Sequence, residues 1–374
     1  MTDLHKPLGQ DQSKTAARSY GRVFPIVALT LLVGAGALLY VQRSGPDTVV
    51  VALDGAEQEI VSPAIAEKPA GVDGYEPKDQ QVSTTEPEPA PKPVEQPSFT
   101  PKQGVVNRQK AWLPVSELVE DTDFGPLPKI ATSGLRPLDA YSERPNGLGK
   151  TRIAIVLGGM GLSQTGTKNA IETLPSGVTF AFSPMGNSLN RWMQLARKEG
   201  HEVALQIPME PLGYPSVNPG RFTLLKESGA DQNITKLRSA LGRMTNYPFV
   251  VSYLGAGFSN DKDALEPVLQ ELRDRGLGWL DNGAVPASKS LDVADGLRLP
   301  NAAGNLIIDG RRQASRIATQ LQGLELLANR RGFAIGSGTA FPETVKALSA
   351  WVREAEKKGI QLVPVSHFMK DYSR

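Results

Sequence analysis

Residues 153–163 read IAIVLGGMGLS: a fully apolar run, Ile153–Leu157, that ends in glycines at 158, 159 and 161. A short apolar run stopped by glycine is the pattern of a strand buried on both faces. The pattern returns at 178–182, 202–207, 249–253, 278–281, 306–308, 333–335 and 361–365. Between these runs lie amphipathic stretches at 188–199, 232–245, 262–275, 312–331 and 342–358, with apolar residues at helical spacing. Strand and helix alternate seven or eight times across residues 150–370. That alternation predicts an α/β fold with a parallel sheet, closed into a barrel of seven or eight βα units. In such barrels chemistry gathers at the carboxyl ends of the strands.

The residues at those ends are Gly158-Gly159, Ser183-Pro184, Gln206 to Glu210, Leu254-Gly255, Asp281-Asn282, Asp309, Ser337 and Ser366-His367. Glu210 and Asp281 are the candidate catalytic carboxylates. The plain alternatives are a hydrogen bond holding the Pro208–Pro211 turn for Glu210, and a helix cap or loop anchor for Asp281. Gln206, Tyr253 and Asn282 are the candidate substrate contacts. Tyr214, Phe222, Tyr253 and Trp279 offer stacking surface, although aromatic residues at strand edges are more often core. GGMGLS lacks the spacing of either phosphate-binding glycine motif, so close backbone packing at the barrel mouth explains it better. No G-x-S-x-G elbow is present, and Ser183, Ser337 and Ser366 read as loop serines. Of the three histidines, His5 stands far from the domain, His201 precedes its strand and reads as structural, and His367 follows the last strand.

Ahead of the domain, residues 23–41 form nineteen residues without a charge. At about 1.5 Å per residue they reach roughly 28 Å, a bilayer's hydrocarbon thickness. Lys6, Lys14, Arg18 and Arg22 precede this segment, whereas Arg43 but also Asp47, Asp54, Glu57 and Glu59 follow it. The positive-inside rule therefore places residues 1–22 in the cytoplasm and the large domain on the far side of the membrane, which the family resemblance described below would make the inner membrane and the periplasm. A cleaved signal peptide is the competing reading, but the apolar run is longer than the ~7–15 residues of a signal core. Residues 42–123 are rich in proline with few large apolar residues, a composition that predicts a disordered spacer.

Charge is close to balanced, 41 Lys and Arg against 39 Asp and Glu, with no basic run to follow a phosphate backbone. Nucleic acid is therefore not expected as a partner. The absence of cysteine removes disulfides, thiolate metal sites and cysteine nucleophiles.

The string IAIVLGGMGLSQTGTKNAI, followed by LPSGVTFAFSPMGNSLNRWMQLARKEGHEVALQIPMEPLGYPSVNPGRFTLL and closing with KGIQLVPVS, resembles the divergent polysaccharide deacetylases of bacterial envelopes. The resemblance runs from Arg152 to His367. Residues 124–141, FGPLPKIATSGLRPLDAY, also resemble a pre-domain segment of the family's alpha-proteobacterial members, one that would dock on the barrel (residues 124–149). The resemblance implies a distorted βα barrel. It also implies that an Asp pair after the first strand and a His-x-x-x-His motif hold a divalent metal, which activates water against an acetyl carbonyl. This chain departs from that pattern. Gly158 and Gly159 stand where the Asp pair would be, Gln206 and Glu210 where the two histidines would be, and Ser337 where a later histidine is expected. One carboxylate among those positions falls short of the three or more donors a divalent ion needs, so neither metal nor other cofactor is expected.

Three functions remain open on this reading. The first is a membrane-anchored protein that binds or acts on cell-envelope glycan with the usual metal chemistry lost, a pseudoenzyme. The second is a metal-independent hydrolase using Glu210 and Asp281 as a carboxylate pair. The third is a scaffold that engages another envelope protein.

Overall fold

The structure, a computed structural model, describes residues 112–372 except 146 and 148. The expected transmembrane segment and cytoplasmic tail, and most of the expected spacer, lie outside these residues. Among the described residues no helix is long and apolar enough to cross a membrane.

The described chain begins with a hairpin, β1 (Val119–Thr122) and β2 (Gly125–Pro128), then a short helix α1 (Pro137–Tyr141). Ordered chain thus reaches back into the stretch read as spacer. Pro126, Pro128 and two acidic residues hide this strand pair from a propensity reading, because proline cannot donate to a ladder. The pre-domain segment is held against the barrel at several points. Arg275 Nη1 donates to Pro128 O (2.9 Å), Leu138 N donates to Gly276 O (3.1 Å), and Leu138 is fully buried.

The main body alternates strand and helix. It runs β3 (Thr151–Met160), α2 (Gln164–Thr173), β4 (Val178–Phe182), α3 (Leu189–Lys198), β5 (Val203–Met209), α4 (Gly229–Leu241), β6 (Phe249–Leu254), α5 (Lys262–Asp274), β7 (Gly278–Asp281) and α6 (Ser290–Gly296). It continues with β8 (Asn301–Ala303), β9 (Leu306–Ile307), α7 (Ala314–Arg331), β10 (Phe333–Thr339), α8 (Pro342–Lys357) and β11 (Ile360–Leu362). The nine strands form one parallel sheet in the order β8-β7-β6-β5-β4-β3-β10-β9, with β11 also paired to β3.

The expected closed barrel is instead an α/β half-barrel whose two edges are bridged by one run of chain. Between β8 and β9, Gly304 N donates to Asp281 O on β7, and Asn305 N to Ile335 O on β10, each at 2.7 Å. Strand β11 distorts the other end. It pairs only with Thr151–Ile153, the start of β3, while β4 pairs with β3 from Ile155 onward. The strand therefore wedges between β3 and β4 at the amino end of the sheet.

Side chains alternate across each strand with a period of two. On β3, Ile153, Ile155 and Leu157 pack under the helices, while Ala154 and Val156 join Ala181, Ala204, Val251, Leu280, Ala302 and Ile335 in the second, inner cluster. The C-terminal segment fills the base of that interior with Val363, Val365, Phe368 and Met369. Beside them lies a buried carboxylate, Glu202, which accepts from Ser366 N (3.1 Å), Glu143 N (3.1 Å) and Thr179 Oγ1 (3.2 Å) and is also bonded to Ser366 Oγ. Burial pushes its carboxyl above the usual range. Glu202 thus joins the pre-domain segment, the sheet and the C-terminal plug at one atom pair.

Candidate functional site

The inward positions at the carboxyl ends of the strands enclose a small cavity of about 150 Å³. Its wall combines apolar residues, among them Val156, Ala181, Val251 and Ile307, with the polar side chains of Gln206, Asn282, Asp309, Ser337 and Thr339; Tyr253 stands at the rim. Strand parity selects these residues. The inward column of β3 runs Ala154, Val156, Gly158; that of β5 runs Ala204, Gln206; that of β10 runs Ile335, Ser337, Thr339.

Gln206 is fixed by one bond: its Oε1 accepts from Gly159 N at 2.7 Å. Because the backbone N–H can only donate, the amide oxygen faces Gly159 and the nitrogen is left as a donor beside the cavity. The carboxamide lies on the backbone of Gly158, where an added Cβ would stand 2.7 Å from Gln206 Cδ and closer still to its nitrogen. Gly159 itself has a positive φ of 74°, which disfavours any residue with a Cβ.

Asn282 uses Oδ1 to accept from Ala284 N (2.9 Å), in a local turn that leaves its amide nitrogen outside that bond. Asp309 accepts through Oδ2 from Thr339 N (2.7 Å) and Thr344 Oγ1 (2.9 Å); burial nonetheless raises its carboxyl above the usual range. Ser337 Oγ is buried and has no hydrogen-bond partner among the described residues. Such a group is uncommon and marks a place where a partner is missing. Asp309 and Ser337 were legible at strand ends; that they converge is a matter of register, which only the pairing of β9 with β10 fixes.

The three candidate substrate contacts, Gln206, Tyr253 and Asn282, all line this cavity, whereas the two candidate catalytic carboxylates do not. Asp281 has the opposite strand parity to Leu280 and Asn282, so it points under the helices. It accepts there from Gly283 N (2.9 Å), Ser288 Oγ (2.6 Å) and Ser290 Oγ (2.5 Å), anchoring the loop into α6. Glu210 stands past the end of β5. Its Oε2 accepts from Lys226 N (2.7 Å) and its own N donates to Leu224 O (2.9 Å), pinning the loop that leaves and returns there. The carboxylate pair is therefore not assembled in one cleft. Of the stacking candidates, Phe222 and Trp279 are buried core, Tyr214 is half-buried and Tyr253 is exposed.

Ser366 and His367 sit at the opposite end from the cavity, because β11 pairs with the start of β3. His367 Nε2 lies 2.7 Å from Arg152 Nη1. A guanidinium only donates, so Nε2 accepts and the ring is neutral with its proton on Nδ1. Burial, and secondarily the Arg152 charge, depress its pKa to about 4. His201 is buried, with Nδ1 2.9 Å from Val178 O and its pKa lowered by burial, a structural histidine.

Of the positions that would hold a metal by resemblance, Gly158, Gln206 and Ser337 line the cavity, whereas Gly159 and Glu210 do not. Their chemistry does not fit one. Two glycines supply no donor, Gln206 Oε1 is taken by Gly159, and Glu210 is committed to its loop. Among the described residues no group of three His, Cys, Asp or Glu is placed to hold an ion.

Protein YibQ of Escherichia coli (strain K12) is 25% identical over 204 residues, covering 54% of this chain and 62% of the E. coli protein's own length. A protein of Haemophilus influenzae Rd is 20% identical over 222 residues, 59% of this chain and 78% of that one. Among solved structures, protein ATU2773 from Agrobacterium tumefaciens C58 is 46% identical with a TM-score of 0.63, covering 65% of this chain and 98% of that one. The family model described as divergent polysaccharide deacetylase matches residues 155–369, more than half of the chain and all of the cavity wall. The chain belongs to the divergent polysaccharide deacetylase family.

Proposed function

We propose that this chain is a cell-envelope protein that binds envelope glycan in the strand-end cavity and does so without a metal ion. Residues 23–41 hold it in the inner membrane in this reading, and the proline-rich spacer lets the half-barrel reach glycan in the periplasm. The observation that carries the proposal is the composition of the cavity. Family membership gives the glycan context, while the wall presents amide and hydroxyl groups beside an aromatic rim, which suits sugar recognition and not ion coordination.

Glu210 and Asp281 serve their loops in this reading and are not reacting groups. The test is co-sedimentation of the purified full-length protein with isolated cell-wall glycan in chelator. Retention is expected, with weaker retention for Asn282→Ala. Loss of retention together with stoichiometric capture of a single envelope protein would favour the scaffold instead.

A further inference from the structure

Beside the hairpin of β1 and β2 lies a second concavity, of about 410 Å³, which shares no residue with the strand-end cavity. One wall is the hairpin turn, Asp123 and Phe124. The turn is pinned there, because Phe124 O fills the place that a Cβ on Gly242 would take. The other walls are a face of α4 with Thr235, Lys236 and Ser239, the following Arg243, and Arg221 in the loop after β5. Three cations and one carboxylate thus meet in one pocket, and among the described residues none of the four makes an ion pair.

Each cation keeps donors for a ligand. Arg243 Nε and Nη2 donate to Pro184 O (3.0 Å) and Gly186 O (3.1 Å), which fixes the guanidinium and leaves Nη1 outside both bonds. Arg221 places its guanidinium carbon 4.7 Å from the Phe222 ring centroid, a contact that uses no N–H. Lys236 Nζ donates to Ser228 Oγ at 3.3 Å, and burial depresses its pKa, with Glu210 offsetting this only in part. An anion seated among the three relieves both their mutual repulsion and this desolvation. A bare oxyanion does not account for the rest of the wall. The hydroxyls of Thr235 and Ser239 donate to Asp231 O (2.9 Å) and Thr235 O (2.7 Å), so their oxygens remain as acceptors, as does the Asp123 carboxylate. A ligand that satisfies both sets carries a carboxylate and several hydroxyl donors. The volume lies within the ~300–1,000 Å³ of small-molecule sites and admits a whole sugar ring, to which half-buried Phe124 offers an apolar face.

We propose that this pocket is a second carbohydrate site that takes an acidic sugar, its carboxylate received by Arg221, Lys236 and Arg243 and its ring hydroxyls donating to Asp123, Thr235 and Ser239. The choice of a sugar rests on the glycan reading above; the requirement for an anion does not. The pre-domain hairpin is then part of a binding site and not only a brace on the half-barrel.

The test is calorimetric titration of the full-length protein in detergent, chelator and low salt, with tetragalacturonate and with its fully methyl-esterified form, which keeps the backbone and lacks the charge. Wild type is expected to favour the acid by roughly tenfold or more, a margin that shrinks with added salt. Arg221→Gln and Lys236→Gln alter an exposed and a half-buried side chain, so both should fold, and each should lose most of the preference. Asn282→Ala, in the strand-end cavity, should keep it. Equal affinity of wild type for the two oligomers, binding of neither, or an unchanged preference in both charge variants would overturn the inference. So would displacement of the acid by an equal concentration of inorganic phosphate or of phosphatidylglycerol vesicles, which marks a plain anion site. Retention on cell-wall glycan alongside any of these results leaves the glycan reading standing; loss of that retention as well overturns both.

Discussion

Gln206 Oε1 accepts the Gly159 amide at 2.7 Å, and that bond lays the carboxamide across the space beside Gly158. Gly158→Ala should therefore overpack the cavity floor and destabilise the fold by about 1–3 kcal/mol. Adding Gln206→Ala should recover much of that loss, because the clashing group is gone. Urea unfolding of both single variants and the double variant measures the coupling. Additive losses would mean that the two residues do not share this space.

Asp281 is expected to matter for stability and not for binding. Asp281→Ala removes the acceptor for Gly283 N, Ser288 Oγ and Ser290 Oγ, and bonds to a charged group contribute about 1.5–3 kcal/mol. Thermal melting should show a loss of at least that order, while the glycan affinity of the folded fraction stays unchanged. Wild-type stability combined with lost affinity would return Asp281 to the site.

Stability should depend on pH through His367. Its folded pKa of about 4 lies below the ~6.5 of an unfolded histidine, so the unfolded chain binds more protons between those values. Stability from this group is full above about pH 6.5 and is lost as pH falls toward 4, by about 1–3 kcal/mol. His367→Asn keeps an acceptor for Arg152 but does not titrate. Its unfolding free energy, followed from neutral pH to mild acid, should fall less steeply than that of wild type; parallel curves would contradict the assignment.

Membrane attachment has its own check. A reporter enzyme active only in the periplasm, fused after Ile60, should be active and stay in the membrane fraction through an alkaline wash. Deleting residues 1–41 should release the protein. A soluble, shortened product from the full-length gene would support cleavage instead.

Much of the half-barrel was legible because its strands are short, mostly apolar runs: 178–182 and 278–281 match the observed strands to the residue. Elements with weak patterns were not. Helix α2, with Gly166 and three threonines, depends on its Ser163 cap, which accepts from Gly166 N at 3.1 Å, more than on propensity. Strand β8 is three residues long and owes its conformation to pairing with β7. The cavity wall was partly legible. Gln206, Tyr253 and Asn282 follow from their places at strand ends, whereas Asp281 lies outside the cavity, because being at a strand end does not say which way a side chain points. Parity could have corrected it, since Leu280 belongs inside and its neighbour therefore outside. The displacement of Ser366 and His367 to the far end was beyond such reasoning, because the register of β11 against β3 is set by tertiary packing.

The central claim, that this cavity receives a glycan group without a metal, is tested most directly by the crystal structure of the protein grown with an N-acetylated glucosamine tetrasaccharide in chelator. The account predicts part of the sugar chain in the cavity, within hydrogen-bond reach of the Gln206, Asn282 or Ser337 side chains. An empty cavity with the sugar bound elsewhere, or sugar density that appears only when a divalent ion is supplied, would contradict it.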